Sequence, residues 1–205
     1  VVSLRPDLVF ALGESQIPVI EALERAGIPV FALDSERLES VYAAIEMAGL
    51  LTGHSAEADE VVAAMKKRVA AVTAKVEAIP EAERPLVFYE VWNEPLMTAG
   101  PQSFIGELIE LAGGRNIIEE ASEQYPEISS EIVIQRDPAV ILGPDSRGDE
   151  FTVEQILARP GWEKIRAVRE NRIYLLDGDI VSRPGPRLVD ALEEIAVALY
   201  PDLFD

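Results

Sequence analysis

From Ser55 to about Ile79 the chain holds neither Gly nor Pro, and no other feature constrains the fold as much. Its apolar residues Val61, Met65, Val69, Val72, Val76 and Ile79 recur in steps of three and four. That spacing predicts one helix with one apolar stripe. About 25 residues at ~1.5 Å each make a rod of about 37 Å. Pro80 ends it, and Glu81 to Arg84 reads as a polar turn. A rod of that length is long for a helix inside one domain, so the expectation is a connector between two units.

What flanks the rod supports this. On its N-terminal side, Asp7 to Leu12 (DLVFAL) and Ile28 to Leu33 (IPVFAL) are short apolar runs of the kind that form buried strands. Between them, Ile17 to Ala26 has helical spacing and ends at Gly27. Ser35 is placed to cap a following helix that runs to about Leu50. On the C-terminal side, strands are predicted at Leu86–Val91, Ala139–Leu142 and Arg172–Leu176. Helices are predicted from Ser103 to Ala112, stopped by Gly113-Gly114, after the cap Ser129, from the capping box Thr152/Gln155 to Ala158, and from Leu188 to Tyr200 before Pro201. Alternating strands and helices mean parallel sheets. The expected fold is therefore α/β: two α/β lobes joined by one long backbone helix, with residues 1–54 as an N-terminal lobe, 55–80 as the connector and 81–205 as a C-terminal lobe.

Composition removes whole classes of function. At 205 residues and 48% hydrophobic, the chain can bury a core and is not disordered. No apolar run approaches the ~18 residues of a membrane span. There is no cysteine, which excludes disulfides, thiolate metal sites and cysteine nucleophiles. His54 is the only histidine, has no companion ligands, and reads as a surface residue at a loop–helix junction. No metal site and no cofactor are expected. A net charge of −19 reads first as solubility and repels nucleic acid. The chain starts at Val1 without a leader, so the expectation is a processed chain or a fragment.

The candidate binding residues lie after strands. In a parallel sheet the segments beyond the strands' C-terminal ends form the ligand crevice. Trp92 follows the strand ending at Val91, in the loop Trp92-Asn93-Glu94-Pro95, and Tyr125 precedes a helix. Asp179 and Arg183 follow the strand ending at Leu176. Two aromatics with an Arg and an Asp can stack on a planar ligand and hydrogen-bond its amides or acids. Carboxylate pairs such as Glu119-Glu120 and Glu193-Glu194 do not stand out in so acidic a chain.

Several ordered blocks resemble one known family. RPDLVFAL and GIPVFAL, then VFYEVWNEPLMTAGPQSFIGELIELAGGRNI, YPEISSEIVIQRDPAVIL and RPGWEKIRAVRENRIYLLDGDIVSRPGPRLVDAL, look like the helical-backbone (class III) substrate-binding proteins of ABC importers. That family serves cobalamin, ferric siderophores and haem, and the cobalamin-binding branch is the nearest likeness. The resemblance implies that Tyr125 stacks on ligand, that Trp92, Asp179 and Arg183 contact it, and that Glu131 docks on arginines of the membrane permease. Glu14 falls in the loop of the second docking glutamate, with its register blurred by a length difference. The expected partners are an ABC permease and a small-molecule ligand, cobalamin or a related corrinoid first, ferric siderophore or haem next. The expected place is periplasmic or extracytoplasmic, with anchoring through a removed lipoprotein leader. Family members begin with a further strand–helix stretch before the RPDLV block, so the N-lobe is expected to be truncated. Its open edge would then be a template for a dimer. Two rivals come from other classes. A metal- or cofactor-binding enzyme lobe would need a His or Cys set that is missing here. A strand-exchanged interaction domain would need only the open edge.

Overall fold

A computed structural model describes residues 1–13, 16–33, 37–145 and 152–204 of the chain. It opens with a parallel pair. Strand β1 (Val9–Leu12) crosses over through helix α1 (Ile17–Arg25) to strand β2 (Val30–Leu33), and Val9 to Leu12 stand opposite Val30 to Leu33. Pro18 sits in the first turn of α1, where a missing N–H costs nothing. Ser35 lies outside the described residues.

Helices α2 (Leu38–Thr52) and α3 (Ser55–Val76) pack closely on each other. Gly53, at φ +78°, makes the left-handed turn between them. Gly49 allows the close approach, since a Cβ there would lie 2.4 Å from the Cβ of Ala58. The long helix is present, but it ends at Val76 rather than Ile79. Its stripe also differs by one residue. Ala58, Val62, Met65, Val72 and Val76 are buried, whereas Val61 is 37% exposed. Adjacent valines fit the spacing equally well from sequence, and packing chooses Val62.

The second sheet carries the rest. Strand β3 (Leu86–Asn93) pairs antiparallel with β4 (Leu96–Thr98), helix α4 (Phe104–Leu111) follows, and β5 (Arg115–Asn116) returns beside the start of β3. Helix α5 (Ser130–Arg136) leads into β6 (Val140–Asp145). Helices α6 (Val153–Ala158) and α7 (Arg166–Arg169) lead into β7 (Ile173–Asp177). Helices α8 (Gly178–Val181), α9 (Leu188–Leu199) and α10 (Pro201–Phe204) close the chain. The sheet order is β4-β3-β6-β7, with β3, β6 and β7 parallel. The predicted caps hold: Ser103 accepts from Gly106, Ser129 from Ile132, and Thr152 forms its box with Gln155. Pro201 ends α9 and also begins α10, which suits proline in a first turn.

Both faces of this sheet are buried, as parallel strands require. Val87 and Tyr89 of β3, with Val140 and Leu142 of β6, meet α2, α3, α4 and α9 in one core cluster. Phe88 and Ile141 turn the other way, onto Ile156 and Trp162. Phe88 and Trp162 stack edge to face with ring centres 5.8 Å apart. Between α3 and α9, Arg68 bridges Asp190 and Glu193 at 2.6 Å each.

Candidate functional site

Register fixes which residues share the C-terminal end of the larger sheet. Tyr89 stands opposite Leu142, Leu142 opposite Tyr174, and Asp145 opposite Asp177. Asp145 and Asp177 pair three residues further along, whereas the β3–β6 pairing ends at Tyr89, three residues before Trp92. Trp92 is in β3 and not in a loop, which corrects the sequence expectation. It pairs with Met97 after a shift in register between Glu90 and Trp92. Such an irregularity re-aims the residues beyond it. The indole is 44% exposed, and its Nε1 donates to the Glu94 carbonyl at 2.8 Å.

Tyr125 is reached through β4. Met97 also bridges to Glu127, and the Thr98 N–H donates to the Pro126 carbonyl at 3.0 Å. The 124–128 segment therefore lies on the far side of β4 from Trp92. Tyr125 is half-buried against the larger core cluster, and burial pushes its phenol up to about 12. Burial also raises the Tyr89 phenol, with proximity to Tyr125 adding to it.

Asp179 and Arg183 form an ion pair at 3.2 Å, one helical turn apart and mostly exposed. Asp177 holds the start of α8 by accepting from the Asp179 N–H at 2.8 Å. An exposed pair of this kind is worth only ~0–1 kcal/mol. Either partner can therefore turn to a ligand at small cost.

The smaller sheet meets this region at an apolar hollow of about 190 Å³. Leu12 and Leu33, the last residues of β1 and β2, line it together with Phe10, Val41 and Ile45, and the Pro184–Pro186 segment closes it. Arg183 adjoins the hollow through Pro184, while Trp92, Tyr125 and Asp179 are not in its lining. The volume is below the ~300–1,000 Å³ of a drug-sized site. The hollow is therefore too small to enclose a drug-sized ligand. Sequence reading missed it, although apolar residues at the ends of two short strands were the available signal.

A buried polar chain lies behind β3. Glu90 is 1% exposed, and its carboxylate takes both Nη atoms of Arg159, at 2.5 and 2.6 Å. Burial raises the Glu90 carboxyl, and the Arg159 guanidinium offsets only part of this. The guanidinium carbon also lies 4.6 Å from the Trp162 ring centre, and Trp162 Nε1 donates to Ser130 Oγ at 3.1 Å. Ser130 is the first residue of α5, and Glu131 follows it, exposed. Its own backbone N–H and the Ser129 hydroxyl hold the Glu131 carboxyl below its ordinary value. A carboxylate suits the positive end of a helix.

Glu14 lies outside the described residues. His54 is exposed, with its ring 3.5 Å from Glu57. Among the described residues, no group of three or more His, Asp or Glu side chains could hold a metal ion. No described helix is long and apolar enough to cross a membrane.

Comparison with known proteins places these features in context. A family model described as "Periplasmic binding protein" matches residues 1–180. An ABC transporter substrate-binding lipoprotein of Bacillus subtilis, YvrC, is 33% identical across 100% of this chain and 65% of its own length. A cobalamin-binding protein of Halobacterium salinarum is 31% identical over 98% of this chain and 55% of its own. The chain thus spans less than two thirds of either relative. Among solved structures, a periplasmic heme binding protein of Pseudomonas aeruginosa superposes with a TM-score of 0.85 at 26% identity, covering 98% of this chain and 74% of that one. A possible iron-binding protein of Staphylococcus epidermidis gives 0.82 at 29% identity, covering 97% and 78%.

Proposed function

Because the chain belongs to the periplasmic binding protein family, we propose that it is the substrate-binding component of an ABC importer. It takes cobalamin or a related corrinoid between its two lobes and presents it, chemically unchanged, to a permease outside the cytoplasm. A lipid anchor, like that in the name of the Bacillus relative, would keep it there. One observation supports the reading: the ends of β1 and β2 line an apolar hollow closed by the Pro184–Pro186 segment, which directly follows Arg183. Leu12 and Leu33 supply apolar lining from the smaller sheet. Trp92 and Asp177 lie toward the C-terminal ends of strands in the larger one, with Asp179 and Arg183 just beyond Asp177. In this account residues 1–54 and 81–205 are the lobes, and 55–80 is the stiff connector that limits how far they close.

The roles follow from chemistry. Trp92 and Tyr125 offer ring faces to a planar macrocycle. Arg183 donates to amide or acid oxygens, and Asp179 accepts from amide N–H groups. Glu131 would meet cationic residues of the permease, with Glu14 as its counterpart on the other lobe.

The choice among ligands rests on charge. A tri-anionic siderophore meets a chain of net charge −19, with Arg183 and Arg187 as the basic residues near the last loop. Haem would take Tyr125 or Tyr89 as an axial ligand, which keeps it as an alternative. A near-neutral corrinoid avoids the charge obstacle. The visible absorption spectrum of the protein purified from its native cells tests this, since corrinoid, haem and ferric siderophore absorb differently. A corrinoid spectrum is expected, and a haem or siderophore spectrum overturns the choice.

A further inference from the structure

Helix α2 is capped locally by Ser40, whose Oγ accepts from the Arg37 N–H at 3.2 Å, and also from a distance. Its N-cap residue, Arg37, has a side chain with no acceptor to offer the first turn. The Leu38 N–H instead donates to Oε2 of Glu107 at 2.7 Å, and Arg37 Nη2 donates to Oε1 at 3.3 Å. Glu107 lies on α4, 69 residues further along the chain, with its side chain only 16% exposed. A carboxylate is the group best suited to the positive end of a helix, and a charge-assisted bond to a backbone N–H is stronger than a neutral one.

The capped helix is the one that walls the hollow. Val41, Ala44, Ile45 and Ala48 of α2 line it, while Leu38, Val41 and Tyr42 enter the larger core cluster. We propose that Glu107 is a positioning residue that clamps α2 to α4 and so sets the shape of the hollow and its affinity for ligand. The affinity half rests on the proposed function, whereas the clamp does not.

The test compares Glu107→Ala with Glu107→Gln, which keeps a carbonyl acceptor. Hydrogen exchange of the Leu38 amide is read without ligand. It should rise about tenfold in the Ala variant, the usual scale of a lost cap, and less in the Gln variant, with β6 amides unchanged. The chain has no cysteine, so spin labels can be placed at the exposed positions Glu46 and Glu110 alone. The label distance should broaden in Glu107→Ala and stay narrow in Glu107→Gln. Affinity for cyanocobalamin should fall in the same order. Unchanged Leu38 exchange and label distance in Glu107→Ala overturn the clamp. A loosened helix with unchanged affinity overturns its role in binding. A wild-type protein that takes up no cyanocobalamin sinks the ligand assignment, while exchange and label distance still decide the clamp.

Discussion

Replacing Arg159 with Met is expected to lower the melting temperature by roughly 6–20 °C. The reason is the Glu90 carboxylate, which is 1% exposed and bound by both Nη atoms of Arg159. Taking one partner from a buried pair costs about 3–5 kcal/mol, because the other charge stays in the interior unpaired. For a chain of this size each kcal/mol moves the midpoint by about 2–4 °C. The double variant Glu90→Leu/Arg159→Met should recover much of the loss, since it leaves no charge behind. The pH dependence has a definite sign. Burial already raises the Glu90 carboxyl, and without the guanidinium it rises further. A carboxyl raised in the folded state resists ionisation there, so the penalty grows as pH rises. It fades as pH falls through the raised value and the group becomes neutral. Melts at neutral and mildly acidic pH check this. A midpoint within about 2 °C of wild type at neutral pH contradicts it.

The second large effect concerns delivery. Glu131→Arg should abolish import while leaving ligand affinity unchanged. The residue is exposed on the first turn of α5, so reversing its charge disturbs the fold little. At a docking surface the same reversal sets like charges against each other, which costs several kcal/mol. Contacts of exposed ion pairs are individually weak, at ~0–1 kcal/mol, so docking would be salt-sensitive and reversible. Reversible docking is what the proposed delivery role requires. The check is uptake of labelled ligand in cells that carry the cognate permease and only the variant receptor. Undiminished uptake removes Glu131 from docking.

How far the sequence revealed this architecture depends on the range of each signal. Alternation of apolar runs and helical stripes is local, and it located β1, β2, β3, β6 and β7 to within a few residues. Caps are local too, and Ser103, Ser129 and Thr152 act as their side-chain chemistry predicts. β4 leaves no signal because three residues, Leu96 to Thr98, are too few to show a period. The sequence pattern therefore places Trp92 in a loop, whereas it lies in β3. Val61 stood in for Val62 because only the neighbouring helices decide which of two adjacent valines turns inward. The long-range contacts leave no local signal. Glu107 lies 69 residues from the amide it caps, and Arg159 lies 69 residues from Glu90, so no spacing rule links either pair. The hollow likewise joins the ends of β1 and β2 to Pro184, far along the chain.

Calorimetric titration of the protein with cyanocobalamin, beside Trp92→Ala and Tyr125→Ala, bears most directly on whether the chain holds a macrocycle. A saturable one-to-one isotherm is expected, weakened roughly tenfold when either ring is removed, in line with the loss of stacking and of buried apolar area. No heat with the wild-type protein, or an isotherm that neither substitution changes, contradicts the account.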